Sequence, residues 1–505
     1  MLSRKEIMIK LRQTTSLLLL VLAWGSAWAQ SVSGPQQSAG STQQPAGSGQ
    51  QEGTPPPPAF GQDNPPPRPI ENPPLSGLDE PALEPTITPR SFLLPGLEIS
   101  ESADSNIAGQ AGNSSIHSVT RAMGSLTLQR LWSRYDTALN YVAGAAFYGA
   151  KGIGANQVHD LNADQKILWR TGQLSLRDSF SYLPEGSFGG GSFGGASGLQ
   201  LGAGGIGNGF LGGGVFGGRS NFDFFGPGQF GTLGQQPRIT NLGLADVVQN
   251  LSPRASVTVA GAYGLMHFTN NNLGLIDSRQ VTTQAGYNYS LSRRDQIALV
   301  YGYQNFRFPG GGADTFATHV ASVLYGHTIS GRMNFVIGGG PQLTQTNDVL
   351  GRHQHLSASG RAMLRYRFPK ASVGLYYDRY DTNGSGFFPG AVSDIARMNY
   401  ERQLGRLWDL YADVGYTHNK RVQQDLLFGV NSAFYNYGYA GGGLHRQLGP
   451  DFSLFMAYQF SDLAFDSSFC TVGPNFIFTT SCSRGSQRHV LSFGLDWHPR
   501  PIRLD

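Results

Sequence analysis

After its leader the chain has no apolar run approaching the 20 or so residues that a membrane helix needs. Charge is scarce, at 14% of 505 residues, and there are only two cysteines. Taking the leader's four basic residues and one acidic residue from totals of 37 and 33 leaves a mature chain near net +1. A balance that even excludes general nucleic-acid binding. No G-x-S-x-G, H-E-x-x-H or phosphate-cradling loop occurs, so neither an enzyme nor a cofactor is expected. His353 and His355 are close in sequence but lack a third ligand, so no metal site is expected. The segment ahead of the patterned region is too polar and proline-rich to be a folded plug.

What is present begins with an export signal. Arg4, Lys5, Lys10 and Arg12 precede the short apolar core Leu17–Trp24, and Ala27-Trp28-Ala29 reads as a cleavage site before Gln30. Residues 1–29 are therefore expected to be a signal peptide. Residues 30–94 are rich in Gln, Ser, Gly and Pro, including Pro55–Pro58 and Pro65–Pro67. They read as a disordered periplasmic linker, or alternatively as a segment that touches the cell wall.

From about 95 to 498 the chain alternates. Trp408, Leu410, Ala412, Val414 and Tyr416 fall on one side of an extended strand. Asp409, Tyr411, Asp413, Gly415 and Thr417 fall on the other. Such strands recur, and many exceed the soluble mean of about five or six residues. Short turns such as Ser330-Gly331, Pro369-Lys370 and Gly449-Pro450 alternate with longer Gly/Asn-rich connections. Short turns on one side and long loops on the other are the habit of membrane barrels, and all short turns share a side only if the strand count is even. That parity admits two faint strands, 96–104 and 238–250. The expectation is an all-β, antiparallel transmembrane barrel of eighteen strands, with sixteen as the fallback. A soluble sandwich or propeller has the same alternation with its faces reversed.

The pattern resembles bacterial outer-membrane porins and related porin-like barrels. The last strand carries the resemblance furthest: Leu491, Phe493, Leu495 and Trp497 alternate with Ser492, Gly494 and Asp496. Family members commonly end on such a strand, which the barrel-assembly machinery reads. Here a tail, residues 499–505, follows it. The resemblance implies an outer-membrane location with periplasmic termini, lipid around the barrel and small hydrophilic solutes inside it.

Several residues stand out against that background. Pro184–Pro237 is a Gly/Phe-rich loop placed where porins have a constriction loop, and is expected to narrow the lumen or lie at its rim. Arg361, Arg365 and Arg367 face inward on one strand without a local partner, which makes them the leading selectivity candidates. Arg397, Glu401, Asp409 and Asp413 also face inward, with Arg397 and Asp413 within diagonal reach. Arg121, Asp164, Lys166 and Arg177 share that face. Asp178 interrupts an outward apolar row. Trp132, Trp169, Trp408, Tyr366, Tyr416 and Trp497 read as interfacial girdles. In an exported chain Cys470 and Cys482 are expected to form a disulfide worth about 3 kcal/mol, with free thiols as the alternative. No segment specifies an oligomeric state. The expected function is passive passage of small hydrophilic solutes. The alternatives are a blocked structural or adhesion barrel working through its loops, and, last, a barrel enzyme.

Overall fold

A computed structural model describes residues 74–76, 91–107, 115–150, 153–185, 235–269, 275–309, 315–348, 351–384, 386, 388–422, 434–466 and 485–504. All belong to one compact unit spanning 64–505. The expected signal peptide, most of the linker, residues 186–234 of the Gly/Phe-rich loop, and both cysteines lie outside the described residues.

The chain forms eighteen long strands in sequence order. They are β1 (Phe92–Asp104), β2 (His117–Leu131), β3 (Tyr135–Tyr148), β4 (Asn156–Trp169), β5 (Gly172–Glu185) and β6 (Gln235–Asn250). Next come β7 (Ala255–Phe268), β8 (Ser278–Ser290), β9 (Asp295–Arg307), β10 (Thr315–Ser330), β11 (Met333–Asp348) and β12 (Gly351–Arg367). The last six are β13 (Ala371–Thr382), β14 (Ala391–Gln403), β15 (Trp408–Arg421), β16 (Phe434–Gln447), β17 (Phe452–Phe465) and β18 (Gly485–Trp497). Each strand pairs antiparallel with its neighbours, and β1 pairs with both β2 and β18. The sheet therefore closes on itself and leaves no edge, so backbone N–H and C=O groups are satisfied within the wall.

Both faint strands, now β1 and β6, are full members of the wall. β1 starts at Phe92, inside the segment read as linker. The tail contributes a two-residue strand, β19 (Ile502–Arg503), paired with Phe92 and Leu93. One connection differs from expectation. β11 and β12 continue as a ladder until Asp348 lies opposite Gly351, so this long-side link is a tight hairpin. Gly351, at φ +130, accommodates the reversal.

The side-chain rhythm decides which solvent lies where. On β15, Val414 and Tyr416 are 49% and 51% exposed, while Asp413 and Thr417 are 2% and 1% exposed. Elsewhere Leu97, Ile99, Val259, Leu299, Ile337, Leu454 and Phe493 are exposed, and Asn140, Thr258, Gln280, Gln342, Gln459 and Ser492 are buried. A soluble protein does not carry an apolar surface that encircles it. This is a membrane-type barrel, oily outside and polar inside, and the soluble sandwich is excluded.

Aromatics mark the ends of the apolar belt. Trp132, Trp169, Trp408 and Trp497 all sit at the end carrying the short turns. Arg130 lies over the Trp132 ring at 4.7 Å and Arg446 over Trp408 at 5.1 Å. The Trp169 indole N–H donates to Gln249 at 3.0 Å. Tyr416 stands about eight residues from Trp408, roughly 20 Å along the axis of a tilted strand, close to the height of a membrane barrel's apolar band.

Candidate functional site

The inner wall carries the polar chemistry. β12 and β13 are joined by the short turn at Phe368–Lys370, which sets Arg361 directly opposite Asp378. Their charges meet at 3.1 Å. Arg361 was expected to lack a local partner, and the register corrects this. β13 supplies a carboxylate at the position that Arg361 faces across their ladder. Arg365 donates to the Tyr376 hydroxyl at 3.2 Å and lies 5.8 Å from that ring. Arg367 is opposite Ser372 and exposed at the short-turn mouth.

The next strands repeat the pattern. Asn399 faces Asp413 and Arg397 faces Gly415, so Arg397 reaches Asp413 diagonally, at 3.2 Å. The Tyr439 hydroxyl donates to the same carboxylate at 2.7 Å. Glu401 lies opposite Tyr411, and Asp409 lies 3.9 Å from His445, both toward the short-turn end. Around this sector the wall therefore alternates in sign: Arg361, Asp378, Arg397, Asp413. Across the barrel, Arg177 donates to Asp164 at 3.0 Å with Lys166 at 3.9 Å, and Arg121 donates to Ser102 at 2.7 Å. Arg488 and Asp104, not singled out in the sequence, pair at 2.8–2.9 Å next to the β1–β18 seam.

Asp178 does face outward. Asn241, diagonal to it on β6, donates to it at 3.0 Å, so two polar groups satisfy each other within the apolar belt. Another exterior cluster was missed in the sequence. Arg379 donates to Asp394 at 2.9 and 3.0 Å, and Tyr377 donates to Asp394 at 2.8 Å. His498, just beyond β18, packs on Gly96 of β1, and its backbone N–H donates to Asp451 at 2.7 Å. Burial, reinforced by nearby His445, holds its imidazole down to about 4.

The long-loop mouth is crossed by a connection that the sequence reading passed over, between β13 and β14. Asn383 donates to Ser278 at the start of β8 at 2.9 Å, and the Ile276 N–H donates to the Gly386 carbonyl at 2.9 Å. On the other side the Phe388 ring packs 5.3 Å from Tyr435, which lies 5.7 Å from Phe465. β8 and β16 are eight places apart around an eighteen-strand ring, so this connection touches two well-separated sides of the mouth. Gly384 and Gly386, at φ +73 and +85, permit the path. Phe388, Ile395, Tyr435, Tyr437, Tyr439 and Leu463 form one buried apolar cluster beneath it. The run Asn383–Gly390, with three glycines and Phe387-Phe388, held the signal: more apolar mass than a solvent turn needs. The expected constriction at 184–237 falls mostly outside the described residues.

No family model matches the chain, and no curated protein matches it. Among solved structures it is similar to the outer membrane protein OpdK of Pseudomonas aeruginosa, with 10% identity over 80% of this chain and 99% of that one, TM-score 0.36. It is similar to P. aeruginosa OpdL at 10% identity over 81% and 98%, TM-score 0.39. The FrpB iron transporter of Neisseria meningitidis aligns at 7% identity over 82% and 83%, TM-score 0.37.

Proposed function

We propose that the protein is a porin-like channel of the outer membrane that passes small hydrophilic solutes. One observation carries this reading: a closed eighteen-strand wall whose exterior is apolar and whose interior is lined by Arg, Asp, Asn, Gln and Thr. A barrel of this strand number leaves an aqueous channel unless something fills it. Paired charges along the inner wall grade the field that a permeating ion meets. Arg361, Arg365, Arg367, Arg397, Glu401, Asp409 and Asp413 are the residues assigned to that role. The connection across the long-loop mouth is one narrowing element. The short-turn end, and with it both termini, faces the periplasm. This follows the usual arrangement of short periplasmic turns and longer external connections.

The test is planar-bilayer recording of the refolded, full-length protein. Ion-conducting channels are expected, with conductance rising when Phe388 is replaced by Gly. A barrel that folds, yet stays silent in both forms, contradicts the channel reading and favours a sealed barrel that works through its loops.

A further inference from the structure

Pro74, Leu75 and Ser76 precede the first strand by about fifteen residues, in the stretch whose composition reads as linker. They nevertheless sit against the inner wall. Leu75 is fully buried among Ala298, Leu324, Val336 and Met363, with Val300 and Tyr376 alongside. These side chains come from β9 to β13 and form an apolar socket in a face otherwise rich in Thr, Gln and Asn. Ser76 is gripped from β7 and β8. Its N–H donates to Asn288 at 3.0 Å, Asn288 donates to its hydroxyl at 2.6 Å, and Gln284 donates to its carbonyl at 2.5 Å. The Thr258 hydroxyl is in hydrogen-bond contact with the Ser76 hydroxyl and carbonyl.

Gly286 makes this approach possible. It lies opposite Thr258 in register, on the inward row between Gln284 and Asn288. A Cβ there would run into the Ser76 side chain, and Thr258 Oγ1 would be its next neighbour at 3.1 Å. The space left by the missing Cβ is therefore occupied chiefly by the docked segment rather than by the wall.

The connectivity agrees. Thr258, Asn288, Ala298, Val336 and Met363 lie within a few residues of the short turns. Phe92, opposite Gln129 near the Trp132–Arg134 turn, opens β1 at that same end. About fifteen residues reach up to roughly 50 Å when extended, ample for the chain to double back into the barrel.

We propose that Pro74–Ser76 is a tethered peg: a built-in ligand of the inner wall that holds the amino-terminal segment inside the barrel and narrows it beside Arg365 and Tyr376. The site recognises a short peptide with one aliphatic side chain followed by a small hydroxyl residue. Its effect on permeation rests on the channel reading; the docking itself does not.

Two measurements on the full-length protein separate these. A thiol placed by Ser76→Cys should react slowly with a membrane-impermeant maleimide, after subtraction of the labelling seen in the chain without it. Adding Gly286→Ala, or Leu75→Asp, should make that reaction fast. Fast labelling without either addition overturns the docking. In bilayers, Gly286→Ala and Leu75→Asp alone should each raise single-channel conductance. Conductance unchanged by both disruptive substitutions overturns the peg as a narrowing element. Silence from every form, with slow thiol labelling retained, contradicts the channel reading and leaves the docking standing.

Discussion

The guanidinium of Arg361 and the carboxylate of Asp378 face each other across β12 and β13 at 3.1 Å, each about one-sixth exposed on the inner wall. A pair placed so is nearly neutral as a unit, and removing either member uncovers the charge of the other. Arg361→Ala should therefore shift the reversal potential toward cation preference, and Asp378→Asn toward anion preference. Changing both should return it near the parental value. Two single substitutions that move selectivity in the same direction would remove the pair from the permeation path.

Asp413 is held by Arg397 and Tyr439 and is almost inaccessible. Asp413→Ala leaves a buried guanidinium without its counter-charge, a loss of about 3 kcal/mol. Asp413→Asn keeps an acceptor for Tyr439 and should cost less. Thermal unfolding, followed by the mobility shift of folded against unfolded barrel on gels, should rank them parent, Asn, Ala.

Asp178 and Asn241 spend polar groups on the lipid side of the wall. An outward carboxylate costs less there than a basic residue but still costs. Asp178→Leu should stabilise the barrel by about 1 kcal/mol in denaturant titrations from lipid vesicles. A destabilised variant would mean that the pair serves some contact beyond the wall.

His498 makes the β1–β18 seam sensitive to acid. Its imidazole is depressed to about 4 when folded, against 6.5 in the unfolded chain. Between those values the unfolded chain binds more protons, so stability is full above about 6.5 and declines as pH falls toward 4. As pH falls through this window, the parental melting temperature should lose ground to that of His498→Gln. An unchanged profile in the variant would assign acid sensitivity elsewhere.

The two-residue rhythm made the wall legible. Every strand, including the two admitted on parity, is present, because a one-residue slip would turn the oily row inward. The Arg397–Asp413 diagonal was legible for a related reason: the short turn at Leu404–Leu407 leaves little choice of register. Arg361 was misjudged because its partner lies across a different turn, and Asp378 on β13 was never placed opposite it. The β11–β12 hairpin was missed because the two-residue rhythm does not mark how far the ladder runs, here to Asp348 and Gly351. The mouth-crossing connection and the peg depend on contacts between segments far apart in sequence. Periodicity carries no information about those. Only local oddities hinted at them: paired phenylalanines in a glycine-rich turn, and a leucine in a proline-rich stretch.

Leu97 is paired with Trp497, so the first strand and the last are zipped together. During synthesis, β1 must wait with one flank unsatisfied until some four hundred further residues have arrived. An open flank of that kind invites mispairing, and so distant a closure is slow to find. Truncation anywhere in between leaves that flank open for good, and should yield an aggregate rather than a smaller cylinder.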